Sequence, residues 1–205
     1  MNLALFDFDG TITMADSFKP FLYFTASRLR LALGTAMLAP MIAGYELGLI
    51  HGSRMRAAAA WVAFRGRRES EINELGERYS ERLDALVRPE VLSKLRWHQT
   101  NGDTVVVVSA SLGAYLDGWC RRAGVERIST ELEAEAGVLT GRYTLGDCTG
   151  PEKARRVRQR YELARYPTIY AYGDTAEDED LLSLGTRRFL RGHELEGAPS
   201  VLNDR

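Results

Sequence analysis

Apolar positions along the chain follow two regimes. At Leu3–Phe6 (LALF), Thr104–Val108 (TVVVV) and Thr168–Tyr172 (TIYAY) they form short unbroken runs. That is the pattern of parallel strands buried on both faces. Ile128–Leu132 and Arg188–Leu190 predict two further strands, and Gly137 and Gly141 bracket two short extended segments read as a small hairpin. Elsewhere the apolar positions recur at helical spacing. From Glu69 to Leu86, residues Ile72, Leu75, Tyr79, Leu83 and Leu86 share one face with charges between them. Helices are also predicted over Met55–Phe64, Glu90–Thr100, Leu112–Ala123 and Pro151–Arg160, with a short acidic one after Asp174. Strands alternating with helices predict an α/β fold, a parallel sheet with helices on both faces.

The alternation is interrupted once. From Ser17 to about Leu86 no strand pattern occurs, and Asp16 or Ser17 is placed to cap a first helix. Residues 16–87 are therefore read as an all-helical cap inserted after the first strand, with residues 1–15 and 88–205 forming the core. Within the cap, Leu31–Ile50 holds a single charge, Glu46, and carries Gly34, Pro40, Gly44 and Gly48, which predict a broken apolar hairpin.

Composition narrows the function classes. The chain has 205 residues and a net charge of −1, which argues against a general nucleic-acid binder. Cys120 and Cys148 match no metal or redox spacing and read as free thiols of a reducing, cytoplasmic compartment. The amino-terminal apolar run has no basic segment before it and meets Asp7 and Asp9 at once, unlike a signal peptide. His51, His98 and His193 share no metal-site spacing and read as surface or structural residues. Trp61, Trp97 and Trp119 read as packing residues, and Arg155, Arg156, Arg158 and Arg160 as a solvated helix face.

Candidate chemistry sits where strands end. Asp7-Phe8-Asp9-Gly10-Thr11 follows the first apolar run, and in open α/β sheets ligands bind at the carboxyl ends of strands. Two carboxylates and a glycine there suit Mg²⁺ and a phosphate; taken alone, the same letters also describe an Asp-Gly turn with capping aspartates. Ser109 ends the valine run, where it is either a phosphate-binding hydroxyl or a helix cap. Lys153 lies in the first turn of a helix opened by Pro151, a place unfavourable to a cation unless an anion is near. Asp174 ends the run at Thr168–Tyr172, with Asp178 one turn on. Together these types fit one chemistry: a carboxylate nucleophile, a carboxyl acid/base, a hydroxyl and an ammonium on phosphoryl oxygens, and acidic ligands for Mg²⁺. Gly102-Asp103-Thr104 repeats the letters of Gly173-Asp174-Thr175 but precedes its strand, so it falls at the opposite sheet edge and receives no role.

In this order, Asp7-Phe8-Asp9-Gly10-Thr11, Ser109, Lys153, and Gly173-Asp174-Thr175 with Asp178 resemble the four signature motifs of the haloacid-dehalogenase-like superfamily. The insertion after the first motif resembles the subfamily (IB) that includes phosphoserine phosphatase. The resemblance implies a Rossmann-like three-layer sandwich and a Mg²⁺-dependent phosphomonoester hydrolase working through an aspartyl-phosphate. It implies Asp7 as nucleophile, Asp9 as general acid/base and Ser109 and Lys153 as phosphate binders. Asp7, Asp9, Asp174 and Asp178 would form the metal site. Gly10, Thr11, Ala110 and Ser111 would line the substrate, with Asp16 and Arg54 or Arg56 reaching in from the cap. The chain departs from the phosphoserine pattern at Ser109-Ala110-Ser111, where Ser-Gly-Gly is usual, and at Glu177-Asp178, where Asn-Asp is usual. Leu31–Ile50 also resembles the insertion of phosphatidylglycerophosphate phosphatases. The substrate therefore stays open between a small phosphomonoester and a lipid head group, and the acceptor between water and another group. The basic-flanked apolar cap meets either a membrane surface, a second subunit of a homodimer or only its own helices. A binding protein that keeps the fold without turnover is disfavoured by the intact Asp7, Asp9 and Lys153.

Overall fold

The computed structural model describes residues 1–196; residues 197–205, the end of the expected core stretch, lie outside the described residues. The chain begins with β1 (Leu3–Phe6), followed by four helices: α1 (Phe18–Thr25), α2 (Arg28–Glu46), α3 (Gly52–Phe64) and α4 (Glu69–Ser80). Then come α5 (Pro89–Thr100), β2 (Thr104–Leu112), α6 (Gly113–Ala123), β3 (Glu126–Thr130), and a hairpin of β4 (Leu132–Glu135) and β5 (Val138–Tyr143). α7 (Pro151–Arg160), β6 (Ile169–Gly173), α8 (Glu179–Leu182), β7 (Arg187–Leu190) and β8 (His193–Glu194) complete it.

The main sheet has the order β3-β2-β1-β6-β7-β8, parallel except for the short β8 at the edge. β1 is central and fully buried, and its alternate residues feed two cores. Ala4 and Phe6 join Val105 and Val107 in a core that continues into α6 and the inserted helices. Leu3 and Leu5 join Val106 and Val108 against α7 and α8 on the other face. This is the expected α/β sandwich. Where the chain leaves β1 and where it returns toward α5 lie side by side: Thr13 bridges Val87, Met14 N–H donates to Leu86 O at 2.8 Å, and Arg88 N–H donates to Ile12 O at 2.8 Å. The β4–β5 hairpin also grips the insertion, with Gly66 N–H donating to Leu139 O at 2.9 Å and Leu139 N–H to Arg67 O at 2.8 Å.

Several elements differ from expectation for identifiable reasons. β2 runs on through Ser109 to Leu112, because Leu112 re-pairs with Thr130 after a register shift, so α6 starts at Gly113. The third strand ends at Thr130, and Leu132 instead begins the hairpin, whose turn places Ala136 (φ 49) and Gly137 (φ 78) in the left-handed region that hairpin turns require. The helix expected from Glu69 to Leu86 stops at Ser80, where Arg122 donates to both the Ser80 carbonyl and its hydroxyl; a tighter turn follows. α2 is continuous rather than broken. Pro40 removes a hydrogen bond to the Ala36 carbonyl, but both residues face solvent, where water can serve that carbonyl. Gly34 acts in packing, since a Cβ there would lie 2.4 Å from Val62 Cγ1 of α3. Trp119 is buried as expected, whereas Trp61 and Trp97 are exposed. Arg156 is not on a solvated face: it is buried and donates to the carbonyls of Ser129, Leu145 and Gly146. Both cysteines are free and buried.

His98 is structural. Its ring is buried in α5, with Nδ1 2.8 Å from Asp103 Oδ2 and Nε2 2.9 Å from the Tyr172 hydroxyl. Asp103 also accepts from the backbone and side chain of Asn2 at 2.9 and 3.0 Å. Tyr172 stacks between Phe6 and Phe189, with centroids 4.2 and 4.7 Å away. Burial lowers the His98 pKa, keeping the ring neutral. A folded pKa below the unfolded value of about 6.5 means that stability from His98 is present above that pH and lost as pH falls through it. His98→Leu should cost about 3 kcal/mol at pH 8 by leaving Asp103 and the Tyr172 hydroxyl underpaired. The gap between wild type and variant in urea denaturation should narrow by pH 5. Other titrating groups cancel in that comparison, so a gap that widens on acidification contradicts a buried neutral ring.

Candidate active site

The pairing of β1 with both of its neighbours stops at one place. Phe6 is in register with Val107 of β2 and Tyr172 of β6, so Asp7, Ser109 and Asp174 emerge together at the carboxyl edge. Asp7 N–H donates to Tyr172 O at 2.9 Å, extending the ladder by one residue. The chain then turns tightly through Phe8–Ile12. Gly10 makes the turn, with φ at +85°, and a Cβ there would lie 2.2 Å from Asp174 Oδ2. Only glycine meets both demands.

Lys153 enters from the first turn of α7 and is almost fully buried. Its Nζ donates to Asp7 Oδ1 at 2.6 Å and to Asp178 Oδ1 at 2.5 Å. The anion that its position in the helix called for is thus a pair of carboxylates. The two carboxylates hold the ammonium pKa well above its ordinary value despite burial. Burial pushes the Asp7 carboxyl up to about 7, against the pull of Lys153 and with the charge of Asp178 adding to the rise. Asp178 turns its other oxygen to the N–H groups of Asp174 and Thr175, at 3.0 and 3.2 Å, fixing the loop that carries Asp174.

Asp9 stands apart from this cluster. Its carboxylate accepts from Ser17 N–H at 3.0 Å, Ser17 Oγ at 3.0 Å and Ser111 Oγ at 2.6 Å. Ser17 Oγ lies 3.0 Å from the Tyr115 hydroxyl, and the Tyr79 hydroxyl donates to Ser17 O at 2.9 Å. Burial raises the Asp9 carboxyl to about 6 even though Ser111 and Ser17 donate to it. Two carboxylates in one loop are thereby given different surroundings, one beside an ammonium and one among hydroxyls.

Carboxylate oxygens of Asp7, Asp174 and Asp178 lie within 4.8 Å of one another. With only hard oxygen donors, the group fits Mg²⁺ better than a softer metal. Because Lys153 and the Asp174 loop occupy both oxygens of Asp178, Asp7 and Asp174 have the oxygens left to hold a cation, with Asp178 orienting them. The Asp9 side chain, expected in the metal set, is directed instead to Ser17 and Ser111.

The remaining expected residues divide. Ser109 is buried, accepts from Ser111 N–H at 3.1 Å and, lying inside β2, caps no helix. Thr11 Oγ1 is 3.5 Å from Asp174 Oδ1, and Ala110 is half-buried between the two serines. Asp16 is exposed and takes the capping role, accepting from Lys19 N–H at 2.9 Å, while Ser17 turns its hydroxyl to Asp9. Arg54 is exposed on α3. Arg56 ties α3 to the core: it donates to Asp147 at 2.8 Å and Glu177 at 3.2 Å, so its guanidinium already has two carboxylate partners. Ser17, Tyr115, Asp147 and Glu177 were not singled out for these contacts from sequence. Ser17 sits eight residues from Asp9 and carries the letters of a helix cap, and the others meet the site only across the fold.

Comparison with known proteins agrees with this architecture. The chain is 29% identical over 192 residues to Protein CicA of Caulobacter vibrioides (strain NA1000 / CB15N), covering 92% of this chain and 85% of that protein. Among solved structures it is similar to a protein of unknown function from Bordetella pertussis Tohama I, with a TM-score of 0.76, 23% identity, and coverage of 91% of this chain and 87% of the other. It also shares the fold of a substrate-bound phosphoserine phosphatase, with a TM-score of 0.62, 14% identity, and coverage of 92% and 85%. The haloacid dehalogenase-like hydrolase family matches residues 4–183, and with its four motifs gathered at one sheet edge the chain belongs to that family of hydrolases.

Proposed function

We propose that the protein is a Mg²⁺-dependent phosphomonoester hydrolase that forms an aspartyl-phosphate on Asp7. The observation that carries this reading is the separation of roles between two aspartates of one loop. Asp7 lies against the Lys153 ammonium, and Asp9 is held by two hydroxyls with its carboxyl raised to about 6. A carboxyl near that value can give a proton and take it back at neutral pH.

Asp7 Oδ attacks phosphorus, and the bond from phosphorus to the ester oxygen breaks. Asp9 delivers its proton to the departing alkoxide. The Asp9 carboxylate then takes a proton from water as the water attacks the phosphorus of the aspartyl-phosphate, releasing phosphate and restoring Asp7. Ser109 and Lys153 serve the phosphoryl oxygens, and Ser17 and Ser111 keep Asp9 aimed. Mg²⁺ on Asp7 and Asp174 would neutralise charge gathering on the phosphoryl group. Arg56, paired with Asp147 and Glu177, acts in this reading as a tie between cap and core and not as a carboxylate receptor. The substrate is accordingly a phosphomonoester without a required amino-acid carboxylate.

Asp7→Asn should abolish phosphate release across a phosphomonoester panel, and Asp9→Asn should slow it by on the order of 10²–10⁴. Wild-type turnover by Asp7→Asn would remove the covalent route.

Chelation by EDTA should silence the enzyme and Mg²⁺ restore it, whereas Ca²⁺, which takes more ligands in looser geometry, should inhibit. Asp174→Asn should raise the Mg²⁺ concentration needed for half-maximal rate. Full activity after exhaustive chelation would take the metal out of the mechanism.

A further inference from the structure

The outer helix of the insertion carries an apolar surface that no other part of the described chain covers. α2 packs on α3, and Gly34 at that contact is its only buried residue. Leu29, Leu33 and Met37, one turn apart on the helix, are 70, 60 and 62% exposed. The turn after α2 adds Leu47 and Leu49, at 74 and 78%. Leu29, Leu33 and Met37 line one open groove with Trp61 of α3 and cover about 12 Å of α2, so they form an apolar ridge and not a scattering of single residues.

Charge identifies its partner. Glu46 is the only acid from Ser17 to Arg68, although the whole chain has a net charge of −1. Arg28 opens α2, and Arg65 follows α3 at the same end, where Arg30 donates to the Arg65 carbonyl. Arg54 lies at the other end, in the first turn of α3. All three are exposed, and among the described residues none is in an ion pair. A second copy of the chain on this ridge would set these cations against their own kind. An anionic lipid surface would neutralise them while taking up the leucines. No helix among the described residues is long and apolar enough to cross a membrane, so the contact is with the surface.

We propose that the α2 ridge and the Leu47–Ile50 turn dock on an anionic bilayer, with α2 lying along the head-group boundary and the arginines at its ends meeting lipid phosphates. This inference does not depend on the catalytic reading. The test is co-sedimentation of the full chain with vesicles of phosphatidylglycerol and phosphatidylcholine, against vesicles of phosphatidylcholine alone. Binding should favour the anionic vesicles and weaken on the order of tenfold from about 50 to about 500 mM NaCl. Leu33→Gln with Met37→Gln should abolish it, and Arg28→Glu with Arg65→Glu should weaken it on the order of tenfold or more. Circular dichroism and unchanged turnover of a soluble phosphomonoester would show that the Leu33 and Met37 variant is folded. The proposal is overturned by no sedimentation with anionic vesicles at low salt, or by sedimentation that the Leu33 and Met37 substitutions leave intact. A dimer that those substitutions dissolve, without vesicle binding, also overturns it and gives the ridge to a second copy.

Discussion

An ammonium ion buried between two carboxylates is the interaction on which the rest of the site depends. Lys153 is withdrawn from water, and an isolated charge there would be severely penalised. Asp7 and Asp178 make the burial tolerable, and in return the lysine fixes where both carboxylates stand. α7 must therefore begin at one height above the sheet, and β1 and β6 must end at matching positions. The glycine at position 10 answers the same constraint, because any side chain there would strike Asp174.

The insertion is joined to this arrangement through polar contacts rather than through a shared apolar core alone. Ser17, at the start of α1, donates to Asp9 by both its backbone and its hydroxyl, so the first residues of the insertion help hold a carboxylate of the core loop. On the opposite side Arg56 of α3 reaches Asp147 and Glu177, the latter only one residue from Asp178. The two connections between core and insertion run side by side, and the β4–β5 hairpin and α6 hold the inserted helices at further points.

Much of the molecule was legible in the order of its residues. Continuous apolar runs mark β1, β6 and the first half of β2 because both faces of these segments are buried. Polar residues at the ends of those runs marked the site, because parallel strands bring their carboxyl ends to one edge. Lys153 stood out because its placement is unfavourable without an anion. Gly102-Asp103-Thr104 precedes its strand and so belongs to the opposite edge, and Asp103 does lie at the amino-terminal edge, bonded to Asn2 and His98.

What tertiary structure alone decided are the partners of side chains whose local role was already plausible. Asp16 and Ser17 read equally as the cap of α1, and the fold gives the N–H to Asp16 and turns Ser17 to Asp9. Arg54 or Arg56 is expected to reach the substrate, yet two carboxylates from distant loops occupy Arg56 and Arg54 is exposed on α3. Asp9 reads as a metal ligand beside Asp7, yet the turn at Gly10 and the hydroxyls of Ser17 and Ser111 direct its side chain elsewhere. Gly34, Pro40 and Gly44 read as breaks in Leu31–Ile50, yet the Ala36 carbonyl faces solvent and Gly34 packs closely on α3, so α2 stays whole to Glu46 and the chain breaks only at the turn holding Gly48. The physical reason is common to all four. Spacing along the chain determines which backbone state and which sheet edge a residue can occupy, whereas a hydrogen bond or an ion pair is settled by what the fold brings within 3 Å or so of it.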